Sequence, residues 1–495
     1  MNLKRWACLA LVMAVAAPLV PLAASAPGAR PTVTAVPGKP NLLIAAYDLA
    51  ELGYRMDEHF ISGATTSYAL PGVPTADGIW NAAPAGSAPY TTRVVVVRPA
   101  DAAKFNGTVL VEWLNVTGGQ DTPADFMVAH REILRKGYAW VGVTAQKVGV
   151  EGGGIMQTGA PGLRKADPQR YGAMVHPGDA FSYDMFTQVG TALKARGASG
   201  LLGPLAPRRI VAIGESQSAA YLTTYVNAVD RLARVYDGFF IHSRFGSSAA
   251  LNGIPMGGSA AKVPEHVRFR PDLRVPVLTL ITETDLLGAR LSGYHGARRS
   301  DDSRLRVWEV AGAAHADNYM FAGAFIDSGK LPIAQLAKVF VPSKTGPMGA
   351  EATPLNPGMP HHYVTQAAIA ALDGWLRTGR PPASAPQLEL VAGTTPALAL
   401  DANGLARGGI RTPWVDVPTI RLSGTGDPKS FIGMLAGSGA PFTKAELARL
   451  YPGGKSEYLR RFTVSLDRAI RAGHVLAADR SEILEIAAIN YEAAP

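Results

Sequence analysis

The chain is 495 residues long, with 47% apolar and 18% charged residues and a mean hydropathy of +0.08. That balance excludes wholesale disorder and fibrous repeats and leaves apolar material for a large core. The formal charge of +9 is scattered among acids, as in Arg298-Arg299-Ser300-Asp301-Asp302, so nucleic-acid binding is not supported.

Residues 1–26 read as a signal peptide. Lys4 and Arg5 form a short basic start, an apolar run covers 6–19, and Ala24-Ser25-Ala26 offers small residues for cleavage. Pro18 and Pro21 break the run before membrane-spanning length, so a secreted or periplasmic protein without stable membrane insertion is expected. Cys8, the single cysteine, falls inside this segment. The processed chain is therefore expected to lack disulfides, thiolate nucleophiles and cysteine-ligated metals.

Seven short runs follow at 93–97, 108–114, 139–144, 209–213, 238–242, 277–282 and 306–310. Most are apolar on both alternating faces, which suits strands covered on both sides. Helix-period segments at 126–136, 179–194 and 218–233 stand between several of them. The pattern predicts an α/β fold, a mainly parallel twisted sheet with helices on both faces. Another helix is expected over 363–376, where Val364, Ala367, Ala368, Ala371, Leu372, Trp375 and Leu376 form one stripe.

The proline-rich stretch 381–386 marks a boundary between a catalytic domain, 27–385, and a C-terminal extension, 386–495. A segment of that size with few strands would bury little alone, so it is expected to pack on the core. Within it, 387–422 reads as extended. Thr443 with Glu446, and Asp479 with Glu482, have capping-box spacing.

The most informative segment is Gly214-Glu215-Ser216-Gln217-Ser218, where a buried strand runs into a helix that opens with small residues. That context is what a nucleophile elbow demands. Serine on such a turn is lifted above the sheet, and the helix N-terminus behind it favours negative charge. Ser218 stands where a second glycine is usual, and it is small enough to preserve the close packing.

A serine hydroxyl needs a histidine base held by a carboxylate. Downstream, a strand runs into Glu283-Thr284-Asp285, and a second runs into Gly312-Ala313-Ala314-His315. The order serine, acid, histidine fits an open α/β sheet with its site at the strand C-termini. Asp285 is favoured as the acid because the loop there should turn toward the base, with Glu283 as the alternative. His242 is read as a pocket or packing residue, and His361-His362 as a solvated cap ahead of the 363–376 helix. No histidine has metal-ligand spacing with a partner, so neither metal nor cofactor is expected.

Acyl transfer also needs donors for a developing oxyanion. One is expected to be the Gln217 N–H, and the other the N–H of Asn115 or Val116 in the loop after an earlier strand. Asn115-Val116-Thr117 also matches a glycosylation sequon, a reading that a buried strand end disfavours.

These features resemble the α/β-hydrolase superfamily, and more narrowly a secreted bacterial group described as alpha/beta hydrolase domain proteins. The matching residues are Gly53-Tyr54, Glu58-His59-Phe60, Ser62-Gly63, Val111-Glu112-Trp113-Leu114-Asn115-Val116, Gly178-Asp179-Ala180 and Gly214-Glu215-Ser216-Gln217-Ser218. Further on come Trp308-Glu309-Val310-Ala311-Gly312 with His315-Ala316-Asp317, and Gly408-Gly409-Ile410-Arg411-Thr412-Pro413. The resemblance implies an esterase-like serine hydrolase using Ser216, Asp285 and His315 on a small-molecule ester, and it supplies no particular substrate. An acyltransferase or amidase would use the same three residues, and a non-catalytic binding protein on this scaffold would need none of them. Pocket shape is expected to depend on the loops 151–173 and 244–271 and on the extension.

Overall fold

Nine strands form one sheet: β1 Thr32–Val36, β2 Tyr54–Ala69, β3 Ala83–Pro99, β4 Thr108–Trp113, β5 Ala139–Val143, β6 Arg209–Glu215, β7 Gly238–His242, β8 Val277–Thr282 and β9 Leu305–Val310. The structure is a computed structural model that describes residues 30–156, 159–195, 200–256, 258–393 and 395–495. The expected signal peptide and Cys8 lie outside the described residues.

The strand order is β1-β2-β3-β5-β4-β6-β7-β8-β9. From β5 to β9 every neighbouring pair is parallel, and β1, β2 and β3 add an antiparallel edge. The seven runs read from the sequence all fall on strands of this sheet. They read as continuous apolar runs because alternate side chains enter two different cores. Val109, Val111, Ile210, Ala212, Phe239 and Ile241 face one core. Leu110, Val211, Ile213, Phe240, Leu278 and Leu280 face the other. Helices Ser182–Lys194 and Gln217–Thr224 cover the first face with residues such as Phe186, Val189 and Leu222. Helix Met359–Thr378 covers the second with Val364, Ala368, Leu372 and Trp375. Each such side chain contributes roughly 1.5–3 kcal/mol on full burial.

Three features differ from the sequence expectation. First, β2 pairs with β3 from Tyr54–Pro99 to Ala69–Ala83, far beyond the expected 93–97. Gly63, Pro84, Gly86 and Pro89 interrupt any strand pattern there. The prolines are tolerated because β5 pairs only with Val94–Val97 and a bridge to Val175 engages Thr91, so among the described residues no strand pairs with that edge of β3 at Pro84 and Pro89. Second, the 218–233 helix is interrupted by a π-helical turn, Tyr225–Val229. Third, helix Met359–Thr378 starts early enough to include His361 and His362.

Residues after 386 touch the sheet at several points. Ile410 N–H donates to the Glu309 carbonyl at 2.6 Å, and Ala311 N–H returns to Ile410 at 3.1 Å. Trp414 stacks on Tyr363 with ring centroids 5.2 Å apart. The capping box of Thr443 and Glu446 forms, whereas Asp479 makes no side-chain cap. Its carboxylate instead engages Arg135, and Glu482 holds Arg131 at 2.9 Å and accepts from the Tyr363 hydroxyl. Ion pairs to a neighbouring helix have displaced the local cap.

Candidate active site

β6 ends at Glu215, and the helix Gln217–Thr224 starts two residues later. Between them Ser216 has φ 60° and ψ −117°, which a non-glycine residue holds only when its surroundings fix it. Its N–H donates to the His242 carbonyl at the end of β7, 2.9 Å away. A Cβ at Gly214 would stand 2.9 Å from Leu222 Cδ1 and 3.1 Å from the Ser218 Cβ. Glycine at 214 and a small residue at 218 thus let strand and helix cross closely and leave the Ser216 hydroxyl projecting.

The Ser216 Oγ lies 2.8 Å from His315 Nε2, and His315 Nδ1 lies 2.6 Å from Asp285 Oδ1. With the Nδ1–H donating to the carboxylate, Nε2 is left as the acceptor facing the hydroxyl. The other Asp285 oxygen accepts from the Thr282 N–H at 2.8 Å and the Thr282 hydroxyl at 2.7 Å. Asp285 therefore caps the short helix Glu283–Leu287 and orients the imidazole at once. Glu283, the alternative acid, does not reach His315. It accepts instead from Gly312 N–H at 2.6 Å and Gly424 N–H at 2.7 Å, and burial pushes its carboxyl up to about 7. Sequence favours Asp285 but leaves Glu283 open, because both carboxylates sit at one strand end. The helical turn aims one at His315 and the other at backbone amides.

Glu215 brings a further carboxyl within 3.5 Å of His315 Nε2. Burial, reinforced by Asp125, Asp285 and Glu112, raises its pKa well above the ordinary range. Of the expected oxyanion donors, Gln217 opens its helix, so its N–H has no intrahelical partner. The Asn115 N–H is spent on the Thr122 carbonyl at 3.0 Å, and its side-chain amide rests on Glu215, so the expectation for Asn115 fails. The Val116 N–H points toward Gln217, whose side-chain oxygen lies 3.3 Å away.

The sequence reading missed a buried row behind the serine. Asp125 Oδ1 is 2.8 Å from His242 Nδ1, His242 Nε2 is 2.7 Å from His361 Nε2, and His361 Nδ1 is 2.7 Å from Asp317 Oδ2. All four side chains are buried. The expectation of a solvated cap at His361-His362 is thus wrong. Pro360 in the first turn starts the helix early, and its opening turn faces β7 instead of solvent. His362 is also buried and binds the Val128 carbonyl. Burial and the adjacent His361 pull His242 well below the usual imidazole range. The row joins helix Ala124–Arg135, the end of β7, helix Met359–Thr378 and the His315 loop. The signal that could have found it was two histidines, His242 at a strand end and His361 at a helix start, but their pairing spans 119 positions.

A cavity of about 240 Å³ opens on Ser216 and His315. Ile155 and Met256 come from the two expected insertions, and Phe431, Met434 and Leu435 from the extension. Phe245 packs on the His315 ring at 4.9 Å between centroids. A larger glycine-lined cavity, about 520 Å³ beside Gly152, Gly153 and Gly154, touches neither residue. Among the described residues, no helix is long and apolar enough to cross a membrane.

The family model described as alpha/beta hydrolase domain matches residues 16–485. No curated protein matches the chain. Among solved structures, a thermostable esterase from Pseudomonas putida ECU1011 is 12% identical, with a TM-score of 0.26 over 48% of this chain and 66% of its own. Esterase Est22 is 13% identical, with a TM-score of 0.29 over 49% and 68%. XC6422 from Xanthomonas campestris, an a/b serine hydrolase without lid, is 11% identical, with a TM-score of 0.26 over 50% and 83%.

Proposed function

The chain belongs to the alpha/beta hydrolase domain family, and from that premise we propose that it is a serine hydrolase cleaving carboxylic esters through an acyl-enzyme. The observation that carries this reading is the line Ser216–His315–Asp285, with contacts of 2.8 and 2.6 Å, ending on a serine whose backbone is held at positive φ.

In this mechanism His315 Nε2 takes the Ser216 proton as Oγ attacks the ester carbonyl. Asp285 fixes the imidazole tautomer and stabilises the imidazolium. The Gln217 and Val116 amides receive the oxyanion once the substrate displaces the Gln217 side chain from Val116. His315 then protonates the departing alcohol, and water, activated by the same imidazole, releases the acid. The apolar walls exclude bulk water and suit a small, largely apolar ester.

Ser216→Ala should lower turnover of a 4-nitrophenyl ester by several orders of magnitude while leaving the fold intact. Near-native turnover in that variant would remove Ser216 from the mechanism.

A further inference from the structure

We propose that the ester taken by this site carries a carboxylate, held by Arg290 at the pocket rim; this deepens the esterase reading above and rests on it. Among the described residues, the lining of the 240 Å³ cavity apart from Ser216, Gln217, His315 and Thr117 is apolar with one exception, the exposed Arg290, and no carboxylate lines the cavity. Among the described residues the Arg290 guanidinium has no ion-pair or hydrogen-bond partner, in contrast to its neighbours Arg298 and Arg299, which hold Glu309 and Asp302.

The position of Arg290 follows from the same turn that places the orienting acid. Helix Glu283–Leu287 carries Asp285 and ends at Gly288, φ 82°. A Cβ there would lie 2.3 Å from the Leu291 carbonyl, so the chain folds back tightly and returns residues 289–291 to the pocket wall. Arg290 is thereby tied to the helix that fixes His315. Arg290 and Ser216 line the same cavity of about 240 Å³, so one ligand can meet both.

A planar guanidinium with all its donors open matches a carboxylate in a bidentate fork. A single cation balances a single negative charge, which favours a monoanionic carboxylate over a dianionic phosphate. An ammonium-bearing ester would be repelled.

The test compares kcat/KM for 4-nitrophenyl hydrogen adipate and 4-nitrophenyl hexanoate, a pair differing at the far end of the acyl chain. The wild type should prefer the anionic ester about tenfold, the scale of a partly exposed charge-assisted contact. Arg290→Gln should bring that ratio close to one, Arg290→Glu should invert it, and Arg290→Lys should keep a preference for the anion. A wild-type ratio near one, or a ratio unmoved in Arg290→Gln, overturns the proposal. In parallel, calorimetry on Ser216→Ala protein, with and without Arg290→Gln, compares monomethyl adipate with neutral dimethyl adipate. If neither nitrophenyl ester is cleaved yet the monoanion binds more tightly in an Arg290-dependent way, the anion subsite stands and the esterase reading falls. Equal binding of both probes overturns the subsite independently of catalysis.

Discussion

Replacing His361 with alanine tests whether the buried row braces the site. His361 is wholly buried and makes two contacts of 2.7 Å, one to His242 Nε2 and one to the Asp317 carboxylate. Two facing Nε2 atoms hydrogen-bond only when one carries a proton and the other does not. Truncation strands His242 Nε2 and removes the imidazole from a buried carboxylate, whose other oxygen still accepts from Met320 N–H at 2.8 Å. Removing one partner of a buried pair costs about 3–5 kcal/mol, a large share of the roughly 5–15 kcal/mol that holds a domain together. Asp317 lies two residues after His315, so the same substitution should also loosen the base and lower kcat more than it raises KM. Guanidinium unfolding followed by fluorescence, with steady-state kinetics on the folded variant, measures both effects. A loss below about 1 kcal/mol, typical of surface substitutions, together with unchanged kcat, would refute the bracing role.

Asp285→Asn should lower kcat by about 10³–10⁴ through loss of the required tautomer, with Glu283→Gln affecting rate far less; the reverse ranking in ester kinetics would reassign the acid. Glu283 should also shape stability against pH. Its folded pKa, about 7, exceeds the unfolded glutamate value of ~4.3. Its stabilising contribution is therefore complete below the unfolded value and lost as pH rises through the folded one. At about 1.4 kcal/mol per unit the full loss is roughly 4 kcal/mol, of which about 3 kcal/mol falls between pH 4.5 and 8. Denaturation of wild type and Glu283→Gln between pH 4.5 and 8 should show the variant curve flatter by that amount; parallel curves would contradict the assignment. Thr443→Ala, which removes an exposed capping box, should cost only about 1 kcal/mol in the same assay.

What could be read from sequence was local. Gly214, Ser216 and Ser218 occupy alternate positions of one five-residue turn, and the steric reason for each is confined to that turn. The parallel strands were legible because burial on both faces leaves no polar alternation in runs such as 108–114 and 277–282. The long β2–β3 hairpin was not, because Thr65, Thr66 and Ser67 with Gly63, Gly86 and Pro89 carry little apolar signal, and its stability comes from pairing across the turn. The choice between Asp285 and Glu283 depended on which way a five-residue helix faces. The Asp125–His242–His361–Asp317 row depended on four elements meeting behind the site, and no single segment encodes that meeting. The apolar cavity wall built by Phe431, Met434 and Leu435 is a tertiary outcome of the same kind.

The proposed esterase mechanism depends first on activation of the Ser216 hydroxyl by His315. A fluorophosphonate forms a stable adduct only with an activated serine, and peptide mass spectrometry locates it. One adduct on Ser216, absent in Ser216→Ala and strongly slowed in His315→Ala, is the predicted result. A folded protein that stays unlabelled, or one labelled at another serine, would contradict it.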